Sequence, residues 1–293
     1  MRLLLLAAGF ALASCAAPSE GAVGEGEGTI GEGEGAVGEG EGEGEGEGEG
    51  EGEDEGTFLP STGTTWQWQL SGLPLDTSLD VAMYDIDLFD NDASSIAGLH
   101  ADGRAVVCYV SVGTFEPFRD DADQFPDEVK GNAYDPPFQD ELWLDVRDER
   151  VRTIMKARFD VAVSKQCDAI EPDNIGFFDQ DTGFPLTADD NIEYAHFISD
   201  QVHARGMTVG LKNDIDQAGD LVDAFDWALN EQCDEFSECD SYSDNFVAAG
   251  KAVFNAEYQD ASDAAAICAR TTPLGLSTII KDIDLDASVT FCP

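Results

Sequence analysis

Asp168-Ala169-Ile170-Glu171-Pro172-Asp173-Asn174, then Thr187 to Gly206, then Thr208-Val209-Gly210-Leu211-Lys212-Asn213-Asp214 read as strand, helix, strand. Thr187 is placed to cap a helix in which Ile192, Ala195, Ile198 and Val202 share one face, and Gly206 is placed to end it. Both strands run directly into polar residues. Repetition of such a unit is the mark of an α/β chain.

Moving outward, further strand-like runs occur at Trp66–Leu70, Val81–Asp85 and Ala105–Val110 on one side. On the other side lie Trp227–Asn230, Ala252–Ala256 and Ser277–Ile280, which makes eight in all. Asp92 to Leu99 followed by Gly103 repeats the helix pattern in shorter form. Val151, Ile154, Met155, Phe159 and Ala162 recur at helical spacing over Val151–Val163. Eight strands alternating with helices over residues 57–293 predict a (β/α)8 TIM barrel, a fold that usually takes roughly 250 residues. The rival is a doubly wound sheet. Its dinucleotide-binding form would carry a glycine-rich turn after the first strand, and none is present.

The N-terminal segment does not belong to that pattern. Met1-Arg2 and the apolar run Leu3 to Ala13 predict a signal peptide over 1–14, too short to span a membrane. Leu12-Ala13-Ser14-Cys15 resembles a bacterial lipobox, which would make Cys15 the lipidated first mature residue. That predicts a protein anchored in the bacterial cell envelope by lipid alone. Residues 15–56 are dominated by Gly-Glu repeats and are expected to form a disordered, extended tether.

Charge narrows the partners. The chain has 15 Lys and Arg against 61 Asp and Glu, a formal charge of −46, and residues 57–293 alone hold 46 acids and 14 bases. Such a field repels phosphate backbones, which argues strongly against a nucleic-acid partner, and it favours cationic ligands or a high-salt setting, between which composition does not choose. Six cysteines follow the tether, and the short spacing of Cys233 and Cys239 predicts a disulfide that clips a loop. With no CxxC pair and three histidines, His100, His196 and His203, no metal site and no cofactor are expected.

In a barrel the chemistry sits where strands end. Those ends carry Asp85 and Asp87, Tyr109 and Ser111, Glu171, Asp173 and Asn174, then Lys212, Asn213 and Asp214, Glu231, and Glu257 with Tyr258. Two carboxylates from different strands facing one pocket suit glycoside hydrolysis, one protonated and one ionised. Glu171 or Asp173 after the fourth strand and Glu231 after the sixth are the candidates. Trp68, Tyr84, Tyr109 and Tyr258 offer faces for a sugar ring, whereas Trp66 and Phe254 read as core.

These residues also carry a resemblance. Trp66-Gln67-Trp68-Gln69-Leu70, Tyr84-Asp85-Ile86-Asp87, Cys108-Tyr109-Val110-Ser111-Val112-Gly113, Glu171-Pro172-Asp173-Asn174, Gly210-Leu211-Lys212-Asn213-Asp214 and Asn230-Glu231-Gln232-Cys233 resemble glycoside hydrolase family 114. Thr182-Gly183-Phe184 and Gly250-Lys251-Ala252-Val253-Phe254 fit as well. The resemblance implies a TIM-barrel endo-α-1,4-polygalactosaminidase acting on an extracellular, cationic galactosamine-rich polysaccharide. It further implies a catalytic pair, with Asp173 the nucleophile and Glu231 the acid/base of a retaining mechanism. The expected substrate-binding residues are Trp68, Tyr84, Asp85, Tyr109, Glu171, Lys212, Asn213, Glu257 and Tyr258. The alternatives are an anchored carbohydrate-binding protein and a hydrolase for another α-linked glycan.

Overall fold

Eight parallel strands follow one another in chain order, each hydrogen-bonded to the next. They are β1 (Trp66–Gln69), β2 (Met83–Asp87), β3 (Ala105–Ser111) and β4 (Ala169–Asp173). Then come β5 (Thr208–Lys212), β6 (Trp227–Glu231), β7 (Val253–Glu257) and β8 (Leu276–Ile280). The computed structural model describes residues 57–134 and 140–292. The expected signal peptide, Cys15 and the Gly-Glu stretch lie outside the described residues. All eight expected strands are present, and the barrel is a curled parallel sheet with helices around it.

Four longer helices connect strands: α1 (Ala93–Ala101), α2 (Glu149–Lys165), α3 (Ala188–His203) and α4 (Ala264–Thr271). Asp92 caps α1 by accepting from the Ser95 amide. At α3, Thr187 accepts from the Asp190 amide and the Asp190 carboxylate accepts from the Thr187 amide, so two orphan donors are satisfied reciprocally.

Alternation along each strand separates two apolar layers. Val106, Cys108 and Val110 of β3 and Tyr84 and Ile86 of β2 pack with helix residues such as Leu99, Met155, Phe159 and Ile198. Trp66, Trp68, Met83, Val107, Trp227 and Phe254 fill the barrel interior. Gly210 is required there, because a Cβ at that position would fall 2.3–2.5 Å from the Trp227 ring. Trp66 and Phe254 are interior filling, as expected.

The ring closes between β8 and β1 through the C-terminal segment. Leu70 and Ser71 both donate their amides to the Leu285 carbonyl, at 2.9 and 3.1 Å. Trp66 Nε1 donates to the Ser277 carbonyl at 2.9 Å, and Thr290–Phe291 pairs antiparallel with β8. Three disulfides join Cys108 to Cys167, Cys233 to Cys239 and Cys268 to Cys292. The second is the loop clip expected from its spacing.

Between β3 and α2 the chain makes a long excursion. It contains a small antiparallel sheet of Thr114–Phe115, Leu142–Leu144 and Lys130–Ala133. Buried ion pairs tie its root to the barrel. Arg119 grips both oxygens of Asp87, at 3.0 and 2.6 Å, and its Nε donates to Glu116. Arg158 of α2 reaches Asp121 and the Ser111 carbonyl. Paired guanidinium–carboxylate forks of this kind fix geometry as well as charge.

Candidate active site

A cavity of about 1180 Å3 opens where the strands end. Lys212, the last residue of β5, stands at its base with carboxylates on three sides. Its Nζ lies 2.9 Å from Glu171 Oε1, 3.0 Å from Asp173 Oδ1 and 3.3 Å from Glu231 Oε2. Burial opposes the ammonium charge, but Asp173, Glu171 and Glu231 outweigh it and hold Lys212 well above its ordinary range. The Trp68 ring centroid is 4.8 Å from the same nitrogen, and the Trp68 indole donates to Glu171 Oε2 at 3.0 Å. Burial pushes the Glu171 carboxyl up to about 7, against the pull of Lys212.

Accessibility separates the three acids. The Glu171 side chain is 0 % exposed, whereas Asp173 and Glu231 are 20 % and 25 % exposed. Only the latter two can meet a substrate. Each is held by further donors. Asp173 Oδ2 accepts from the Tyr109 hydroxyl at 2.9 Å and from Asn174 Nδ2 at 3.3 Å. Glu231 Oε2 accepts from Asn213 Nδ2 at 3.0 Å, and Asn213 Oδ1 accepts the Glu231 amide at 2.9 Å. The Tyr258 hydroxyl donates to Glu231 Oε1.

The backbone turns abruptly after each of these strands. Asn174, Asn213, Asp214 and Gln232 have φ of 59°, 48°, 55° and 61°. Left-handed conformations in non-glycine residues persist where surrounding contacts over-determine them, and Asn and Asp tolerate them best. At Gly113 the backbone of Asn174 comes so near that a Cβ would sit 1.8 Å from its carbonyl oxygen. Side chain there is impossible.

The excursion supplies one wall of the cavity, with Phe118, Tyr134, Glu141 and Trp143 among its lining residues. The Tyr134 and Trp143 rings lie 5.0 Å apart. Burial raises the Glu141 carboxyl to about 7, partly offset by the Thr114 hydroxyl that donates to it. The opposite side includes Asp214, likewise raised to about 7 by burial while Asn191 donates to it. Sequence reading missed the excursion residues. Their signal was the length of chain between the third strand and the next helix, since long connections in compact domains are commonly functional.

Of the expected site residues, Trp68, Tyr109, Asp173, Lys212, Asn213, Glu231 and Tyr258 line the cavity, and Glu171 lies at its base. Tyr84, Asp85 and Glu257 do not line it. Tyr84 points outward into the helix layer and donates its hydroxyl to the Leu79 carbonyl. Glu257 also points outward, where it accepts from the Asp234 amide and from Asn255. Neighbouring residues on a strand face opposite ways, so Tyr84 with Asp85 and Glu257 with Tyr258 could not all point inward. Asp85 does face the interior, but it is sealed below the cavity. Among the described residues Cys233, Cys239 and Glu257 are close enough to hold an ion, yet the disulfide leaves no thiolate to bind one.

Comparison with known proteins completes the picture. The family model of glycoside-hydrolase family GH114 matches residues 50–293. The crystal structure of Aspergillus fumigatus Ega3 in complex with galactosamine is similar at 40 % identity, covering 81 % of this chain and 98 % of that one, with a TM-score of 0.77. The glycoside hydrolase domain of PelA from Pseudomonas aeruginosa shares the fold at 13 % identity, covering 78 % of this chain and 98 % of that domain, with a TM-score of 0.63. No curated protein matches the sequence. A barrel with two reachable acids above a buried lysine, matched along its whole length by the family model, makes this chain a glycoside hydrolase that belongs to family GH114.

Proposed function

We propose that the protein is an endo-acting hydrolase of α-1,4-linked, galactosamine-containing polysaccharide, with Asp173 as nucleophile and Glu231 as acid/base. The observation that carries this reading is the triangle of Lys212, Asp173 and Glu231. Two solvent-reachable carboxylates share one ammonium, and their near oxygens can be no farther apart than the 3.0 and 3.3 Å contacts laid end to end. That bound accommodates the about 5–5.5 Å separation of a retaining pair.

In the first step a Glu231 proton passes to the glycosidic oxygen as its bond to the anomeric carbon breaks, while Asp173 forms a bond to that carbon. In the second, Glu231 takes a proton from water, whose oxygen replaces Asp173. Lys212 stabilises the carboxylates as their charges change, and Tyr109 holds the oxygen of Asp173 that Lys212 does not.

Substrate charge fits the cavity. Asp90, Asp179, Asp214 and Asp216 line it, while its cations, Arg119 and Lys212, are already paired with carboxylates. An amino sugar bearing ammonium groups is attracted there, and a neutral glycan gains nothing from it. The galactosamine bound by the Aspergillus relative supports the same choice. The envelope location expected from Cys15 would put the enzyme beside extracellular polymer.

Incubation of the protein with deacetylated galactosamine oligomers, followed by product sizing, tests the reading. Internal cleavage is expected, and Asp173→Asn or Glu231→Gln should lower kcat by about 10²–10⁴-fold while polymer still binds. Binding without release of reducing ends by the unaltered protein would instead identify a carbohydrate-binding protein. Cleavage of only a different α-linked glycan would overturn the substrate.

A further inference from the structure

Asp85 occupies the middle of β2 and takes no part in the steps above. It is fully buried, and neither of its oxygens meets a donor among the described residues. Its register partners on the flanking strands, Trp68 and Val107, carry no charge. The ionisable groups that bear on it are Glu171 and Asp173 of β4 and Lys212 of β5. Tyr109, two residues beyond Val107 on β3, is engaged with Asp173. The Trp68 indole serves Glu171, and the Lys212 ammonium serves Glu171, Asp173 and Glu231.

An ionised carboxylate in that place would be a buried charge with no donor and no free counter-ion, which proteins avoid. The Asp85 carboxyl is nevertheless within hydrogen-bonding reach of Glu171. Two carboxylates cannot bond to each other without a proton between them. Glu171 receives Trp68 on Oε2 and Lys212 on Oε1, both of which bind its ionised form.

We propose that Asp85 is a neutral carboxylic acid whose O–H donates to Glu171, and that this bond is a positioning element for catalysis. It keeps Glu171 ionised and aimed at Lys212, and through Lys212 it sets the two reachable carboxylates. Asp85 is then not a catalytic residue, because its proton stays where it is throughout the reaction. Burial and the adjacent Glu171 raise the Asp85 carboxyl well above the usual range, while the donated bond pulls Glu171 down against its own burial. A neutral carboxylic acid has served elsewhere as a fixed hydrogen-bond donor in an active site.

Two measurements on the full chain test this, the second resting on the hydrolase reading and the first independent of it. Infrared difference spectra of the unaltered protein minus Asp85→Asn should show a carboxylic-acid C=O band that persists from about pH 5 to about pH 8. A band missing at the upper end overturns the proposal even if the enzyme is active. In the pH profile of kcat/KM, Asp85→Leu removes the donor, so Glu171 keeps its proton to higher pH and the acidic limb moves up by about one unit. Asp85→Asn retains an amide donor and should leave that limb in place, whatever its kcat. A limb unmoved in the Leu variant, or moved equally in both, overturns the proposal. Should the Leu variant not fold, the infrared band and the Asn limb decide it.

Discussion

Tyr258 donates its hydroxyl to Glu231 from beyond the end of β7, across the interval from one strand exit to the next. The bond links a cavity-lining phenol to the reachable acid, so it sets the direction in which that acid presents its other oxygen. Tyr258→Phe keeps the ring and removes the donor. A hydrogen bond to a charged group contributes about 1.5–3 kcal/mol, so kcat/KM should fall by about 10–100-fold with the fold intact. Steady-state kinetics alongside circular dichroism checks this, and unchanged turnover would dismiss the contact as incidental.

Lys212→Met should be destabilising as well as inactivating. It would leave Glu171 buried beside Asp173 and Glu231 with no counter-charge, and breaking a buried pair from one side costs about 3–5 kcal/mol. The double variant Lys212→Met/Glu171→Gln removes the stranded charge. Thermal unfolding should show partial recovery in the double variant, whereas activity should stay lost. Recovery of neither would mean that the lysine matters mainly for packing.

Stability should decline from mildly acid to neutral pH. Glu141 and Glu171 are raised from 4.5 to about 7, and Asp214 from 3.8 to about 7, each chiefly by burial. Groups raised in the folded state contribute stability that is fully present below the unfolded value and is lost as pH rises through about 7. At the other end, Asp92 and Asp148 are lowered to about 2 by hydrogen bonds from Ser94 and Arg150, and their contribution is lost as pH falls through about 2. The melting temperature should therefore drop between about pH 4.5 and about pH 7 and level off above. A rise across that window would contradict the assignment.

Gly210→Ala adds one carbon where the Trp227 ring already sits, at 2.3–2.5 Å. Ring and backbone must both shift, and overpacking of a filled core costs about 1–3 kcal/mol. Denaturant titration should show that loss. Gly103→Ala makes a useful contrast, because the same atom there meets no neighbour within 4 Å and any loss comes from its φ of 75°.

The barrel was legible because its strands and helices are periodic and its turns are marked. Thr187, Asp92 and the apolar faces of α2 and α3 belong to patterns that depend only on local geometry. The site was legible in part. Asp173, Lys212 and Glu231 stand at strand exits, where the fold itself directs side chains into the mouth. Tyr84 and Glu257 also stand near exits, but strand alternation turns them outward. Phe118, Glu141 and Trp143 come from an excursion with no repeating pattern, held by pairings such as Arg119 with Asp87 that span distant parts of the sequence. No local rule reveals those.

The seam beside β1 has a consequence for how the ring is completed. Leu285 and Thr290–Phe291 supply the last pairings of the ring, and Cys292 the last covalent tie. Without those residues the first strand would therefore lack its partner across the seam and β8 would present a bare edge.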